Sequence, residues 1–306
     1  MAGIAWGGYG QSSGNVISGK VVYGDDQSPV PYAILTAPDG SRGVSCDSLG
    51  HFQFVLSGTG NNEQLLVSGF GAVRTLVSLN PSADQPLTIA LERQAFILPE
   101  VVVQGSRQGA TSLIGDTTRI NTSSYQFKFK RGVELGVLVK NKRRITLDAL
   151  YIHIKDTPQS HAPMAVRIKK GPSMRPNRLY DSNEFTDILP ELLICHAERP
   201  GMLKIDLSGY NIQIGSDFLI LLSPASSNPE FDYTVEEPIV QIMPNGRVVW
   251  SPLREPVGYY GAVLNEYPAI RKDIFWLTGE GGQYAYIDVP RMETSPPMIA
   301  VGYRKK

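Results

Sequence analysis

The chain has 306 residues, 42% of them hydrophobic and 19% charged, with 29 basic and 29 acidic side chains. That length suits two domains, and the charge balance argues against a nucleic-acid binder, which carries a basic excess. No run of about 18 apolar residues marks a membrane-spanning helix, and two cysteines, Cys46 and Cys195, are too few for a disulfide framework or a cysteine-built zinc site.

Residues 1–14 lack the basic start of a secretory signal and hold only a short apolar stretch. The small residues leading to Gly10 and Gln11, then Ser12, Ser13 and Gly14, resemble the tail of such a signal. A signal remnant is expected here, with an unstructured N-terminus as the alternative; no lipid anchor is expected, because no cysteine follows in the lipoprotein position.

From Val16 the chain reads as short strands between turn clusters. Val16–Tyr23 is β-rich, residues 24–29 are turn formers, and Tyr32–Thr36 and Gly43–Cys46 follow. After the tight turn Asp47–Gly50, the alternation His51–Leu56 puts Phe52, Phe54 and Leu56 on one face. Leu65–Ser68, Thr75–Leu79 and Leu87–Leu91 complete a set that predicts a small β-sandwich over residues 15–104.

Five elements in order carry a resemblance. Ile17-Ser18-Gly19-Lys20-Val21, Pro29-Val30-Pro31-Tyr32-Ala33, Asp47-Ser48-Leu49-Gly50-His51-Phe52, Val67-Ser68-Gly69-Phe70-Gly71 and Leu98-Pro99-Glu100-Val101-Val102-Val103 are similar to the pattern of the carboxypeptidase regulatory-like domain, a transthyretin-like β-sandwich. Cys46 departs from it, since the family more often has Thr there. The resemblance implies a scaffold module found in outer-membrane bacteria, with no catalysis of its own. The last element also occurs ahead of the plug of TonB-dependent receptors, but too few residues follow here for a barrel of that size.

Residues 105–116 are Gly/Ser-rich and predict a linker. Charge shifts across it: residues 1–105 carry 4 basic and 8 acidic side chains, residues 106–306 carry 25 and 21. Residues 117–306 are again strand-dominated, with alternating or apolar runs at Tyr125–Lys130, Val133–Val139, Ile145–Ile154, Met164–Ile168, Met202–Leu207, Asp217–Leu222, Tyr284–Val289 and Met298–Tyr303. A helix fits only at 183–195, where Pro190 interrupts it. Residues 117–223, opening with Lys130-Arg131-Gly132-Val133-Glu134-Leu135-Gly136, resemble jelly-roll modules that follow the regulatory-like domain in secreted bacterial proteins. The expected class is therefore all-β: a small immunoglobulin/transthyretin-like β-sandwich followed by a larger jelly-roll-like β-sandwich.

Candidate chemistry is sparse. The four histidines form no His-x-x-x-His or Glu-x-x-His pattern, so neither a metal site nor a cofactor is expected. A Gly-x-Ser-x-Gly elbow is missing, and no catalytic residue is assigned. Glu184, Asp187 and Glu191 read as a solvated face, and Gly279–Gly282 as a hairpin turn. Carboxylate pairs are made by the fold and not by spacing, so an unrecognised carboxylate-pair hydrolase stays an alternative.

Two groups point to binding. Lys128, Lys130, Arg131, Lys140, Lys142, Arg143 and Arg144 share their stretch with one acid, Glu134; they read as a positive patch for an anionic lipid surface or an acidic partner, or as edge-strand protection. Trp250, Tyr259, Tyr260 and Trp276, with Tyr267, Phe275, Tyr284 and Tyr286, read as a platform for sugar rings or as core. The resemblances imply a non-catalytic binding or scaffold protein of the periplasm, outer membrane or cell surface, docking a protein partner such as an outer-membrane receptor or assembly. A carbohydrate-binding accessory protein for polysaccharide uptake is the alternative.

Overall fold

The computed structural model describes residues 16–38, 42–56, 64–79, 86–94, 111–115, 126–175, 178–242, 248–265, 274–280, 283–286 and 299–305. The expected signal remnant, the Val101–Val103 strand and the first half of the expected linker lie outside these residues.

The chain is an all-β protein of stacked sheets. Its first part contains β1 (Val16–Tyr23), β2 (Ile34–Thr36), β3 (Gly43–Ser45), β4 (His51–Val55), β5 (Gln64–Ser68), β6 (Thr75–Ser78) and β7 (Leu87–Leu91). They form a three-stranded sheet β4-β1-β7 and a four-stranded sheet β3-β2-β5-β6. β1 runs antiparallel to β4 and parallel to β7. Val21, Phe52, Phe54 and Ile89 from one sheet meet Leu35, Leu65 and Val67 from the other in a single buried cluster. The alternation of β4 does what its sequence dictates: Phe52 and Phe54 face inward while His51, Gln53 and Val55 are exposed. The turn ahead of it is held by the Asp47 carboxylate, which accepts from the Leu49 and His51 N–H groups at 2.8 Å each. Gly50 follows at φ +77°, where a Cβ would stand 2.4 Å from the Val21 carbonyl oxygen.

The second part contains β8 (Ser112–Ile114), β9 (Gln126–Phe129), β10 (Leu135–Val139), β11 (Ile145–Asp156), β12 (Pro163–Lys170), β13 (Tyr180–Asp181), β14 (Thr186–Asp187), β15 (Leu193–His196), β16 (Gly201–Asp206), β17 (Gln213–Ile214), β18 (Phe218–Pro224), β19 (Asp232–Ile242), β20 (Val248–Asn265), β21 (Ile274–Glu280), β22 (Gln283–Tyr286) and β23 (Ile299–Lys305). One sheet has the order β13-β22-β21-β10-β18-β12-β14, with β15 also on β12; the other has β19-β20-β11-β23-β8, with β16 and β17 on β11 and β9 on β20. Their inner faces share one core that includes Val137, Leu147, Ile152, Val166, Ile220, Tyr260 and Val301.

β18 is buried along its whole length, which explains its unbroken apolar run. Phe218, Ile220 and Leu222 face the main core. Leu219 and Leu221 face outward into a second cluster with Leu138, Met174, Tyr180 and Phe185.

Three readings of the sequence change. Residues 112–114, within the expected linker, pair with β23 at Val301–Tyr303, because Ile114 packs against the core beside that strand and the pairing fixes the short run. Residues 183–195 form no helix beyond the 3-10 turn Ser182–Glu184, followed by β14 and β15; Pro190 and the pairing of both strands with β12 decide it. Asp232–Ile242 and Val248–Asn265, not assigned strands from their sequence, pair along most of their length as β19 and β20. Glu280, at the end of β21, pairs with Gln283 at the start of β22.

Candidate functional site: the seam and cleft between the sandwiches

The sequence places a tether between the two sandwiches, but among the described residues the bodies themselves touch at two places. At the first, the Thr36 hydroxyl donates to the Gly132 carbonyl at 2.6 Å. Gly43 and Gly132 there approach so closely that a Cβ on Gly132 would lie 2.4 Å from the Gly43 Cα. Gly132 also has φ +76°, so both its conformation and its surroundings call for glycine.

At the second, β12 and β14 grip the turn 69–71. The Arg167 fork binds Asp187 through two hydrogen bonds of 3.0 and 2.6 Å and reaches Glu134 at 3.2 Å. The same guanidinium donates to the Gly69 carbonyl at 3.1 Å, while the Gly71 N–H donates to Asp187 at 3.1 Å. One ion pair thus satisfies an acceptor and a donor of the neighbouring sandwich. Alongside it, Asn183 accepts from the Arg74 N–H at 2.8 Å and donates to the Arg74 carbonyl at 3.2 Å. Phe70 packs against the core of the second sandwich, and its carbonyl accepts from the Tyr23 hydroxyl at 2.7 Å.

The electrostatics follow from burial. Burial by itself raises the Asp187 carboxyl, but the Arg167 and Lys169 cations, with hydrogen bonds from Arg167 and the Gly71 N–H, outweigh it and hold the group below the usual carboxylate range. Lys169, fully enclosed beside this pair, is pushed down to about 8 by burial, with Arg167 acting in the same direction and Asp187 and Glu134 opposing.

Beside the first contact, next to Gly43 and Gly132, the bodies frame a cleft of about 1000 Å³. Val16, Lys20, Gln53 and Val55 line it from the three-stranded sheet, and Arg131 and Asn228 from the second sandwich. Val16 and Val55 pair directly across β1 and β4 and are each more than half exposed. The buried Ser45 hydroxyl, also on the lining, has no hydrogen-bond partner among the described residues.

The residues singled out in sequence disperse. Arg131 builds the cleft wall: it binds the Asp232 carboxylate at 2.9 and 3.1 Å and the Asn228 carbonyl at 2.6 Å, and lies 5.0 Å above the Tyr260 ring. Tyr260 is fully buried and donates to the Pro163 carbonyl at 2.7 Å, so it offers no stacking face. Tyr259 is 8% exposed, with the Lys128 and Lys130 ammonium groups 4.8 and 5.6 Å from its ring centre and Lys128 ion-paired to Glu237. Burial and a hydrogen bond to Glu237 push the Tyr259 hydroxyl up. Trp250 and Trp276 sit opposite Val240 and Val137, with side chains outside the described residues. Lys142, Arg143 and Arg144 are exposed.

The acids expected on one solvated face part company: Asp187 is fully buried at the seam, Glu184 closes a capping box with Asp181, and Glu191 accepts from the Tyr210 hydroxyl at 2.6 Å. Burial pushes the Cys46 thiol up and the Cys195 thiol up to about 12, which disfavours the thiolate at neutral pH. Among the described residues no group of three His, Cys, Asp or Glu is placed to hold a metal ion, and no helix is long and apolar enough to cross a membrane. Sequence reasoning missed Arg167. Its one signal is a cation between Val166 and Ile168 in a strand otherwise apolar up to Lys169.

Compared with known proteins, the chain matches no family model and has no significant match among curated proteins.

Proposed function

We propose that this chain is a non-catalytic binding or scaffold protein that works outside the cytoplasm, in the periplasm, outer membrane or cell surface. In this reading the first sandwich is a carboxypeptidase regulatory-like module of transthyretin type, the second is jelly-roll-like, and a protein partner docks in the cleft between them. The observation that carries it is the seam: two separate contacts hold the sandwiches together, with a cleft of about 1000 Å³ beside the first, and a rigid pair of bodies presents a preformed surface at little entropic cost. The lining supports a polypeptide rather than a sugar, because its exposed apolar groups are the valines 16 and 55 and the prolines 86 and 229, with no exposed Phe, Tyr or Trp ring among the described residues to stack on, while Tyr259 and Tyr260 are withdrawn into packing.

Cell fractionation followed by crosslinking and mass spectrometry tests this. Wild-type chain should crosslink a partner through residues 16–20 and 51–55, and Val55→Arg should weaken that capture by about tenfold or more without lowering the unfolding midpoint. Crosslinks that map away from the cleft, or capture indifferent to Val55→Arg, would exclude it.

A further inference from the structure

The basic run 128–144 splits in three dimensions. Lys128, Lys130 and Arg131 are spent on Glu237, Tyr259 and Asp232. Lys140 binds Asp217 at 2.9 Å and the Met174 carbonyl at 2.8 Å. Lys142, Arg143 and Arg144 are exposed and enter no ion pair among the described residues.

Their turn is held rigidly. Asn141 is buried; its side-chain amide donates to the Arg143 carbonyl at 2.8 Å, its side-chain oxygen accepts from the Arg143 N–H at 3.1 Å, and its own N–H donates to Asp217 at 2.9 Å. The fold brings further cations to the same end of the second sandwich. The register sets Val139 beside Phe218 and Phe218 beside Lys170, which is exposed. With strands about 4.8 Å apart, Lys170 starts roughly 10 Å from the turn. Exposed Arg175 follows in the loop that Lys140 holds at Met174, and Lys305 pairs with Ile145, next to Arg144. Among the described residues the acids nearby are engaged: Asp217 by Lys140 and Asn141, and Asp181 and Glu184 in their capping box.

We propose that this end of the second sandwich is a docking surface for anionic lipid headgroups. It is distinct from the cleft and independent of what the cleft binds. The cations stand at strand ends on separate segments rather than along one groove, an arrangement that a planar layer of phosphates meets all at once. The Tyr180 hydroxyl accepts from the Arg175 N–H at 2.8 Å, and just before Tyr180 stands Leu179 at 62% exposure beside exposed Arg178. An apolar side chain among cations suits the headgroup–acyl boundary.

Vesicle sedimentation with the full chain tests the proposal. Phosphatidylcholine vesicles with about a third phosphatidylglycerol should bind the protein, pure phosphatidylcholine should not, and salt raised to roughly physiological strength should weaken binding. The triple variant K142A/R143A/R144A should bind about 100-fold more weakly with an unchanged unfolding midpoint, while Lys204→Ala, on the exposed side of β16, should bind as wild type. Absence of binding to the anionic vesicles, or a triple variant that binds as well as wild type, overturns it. Soluble poly-aspartate bound as tightly as the vesicles also overturns it, in favour of an acidic protein partner.

Discussion

Two arginines in this chain make the same two-pronged grip on carboxylates in opposite surroundings. Arg93 holds Asp25 at 3.0 and 2.7 Å and Asp26 at 2.7 Å, and lies 3.7 Å above the Tyr23 ring. Arg167 holds Asp187 at 3.0 and 2.6 Å. The Arg93 side chain is 38% exposed and Asp25 56%; Arg167 is 6% exposed and Asp187 not at all. Water and salt screen the first grip, which ties together one sandwich. The second is dry and reaches across two sandwiches to a carbonyl and an N–H. Contact geometry alone therefore does not rank interactions; what matters is what each side chain is left facing when its partner is removed.

The largest test of that contrast is Arg167→Met. It strands a buried carboxylate and takes the donor from the Gly69 carbonyl, so urea denaturation should show a loss of about 3–5 kcal/mol, with faster amide exchange at Gly71. A loss below about 1 kcal/mol would erase the distinction between the two arginines.

A sharper test uses Lys169. Its pKa falls from the ordinary 10.5 to about 8 on folding, so between those values the unfolded chain binds more protons than the folded one. The contribution of this group to stability therefore rises with pH across that window, and the cost of confining its charge is felt in full below it. Lys169→Met should remove that rise, visible as the difference between two profiles of stability against pH; profiles that stay parallel would place the lysine in contact with water. The smallest effect belongs to Arg93→Ala, expected to cost under about 1 kcal/mol and to cost less still at high salt.

Much of the fold was legible along the chain. The β4 alternation and the Asp47–Gly50 turn are local features, and local chemistry settles them. The ladder of β19 and β20 was not, because Pro238, Pro252 and Pro256 break the strand signal; pairing from Asp232↔Tyr260 to Ile242↔Val248 overrides it. The site was less legible still. In the sequence Arg131 is one charge in a run, and in the structure it is a wall of the cleft; Arg167 and Asp187, which close the seam, look in sequence like a strand cation and a solvated acid.

By itself the sequence determined that this protein is built of β-sheets, since alternation, turn formers and apolar runs act within a few residues and need no distant partner. Tertiary structure alone decided which cations are spent and which are free, that 112–114 is a strand, and that a carboxylate near the middle of the chain is buried against the turn 69–71. Those outcomes depend on burial and pairing between segments as far apart as Gly71 and Asp187, and the dielectric around a charge is set by the chain that packs over it, not by its neighbours in sequence.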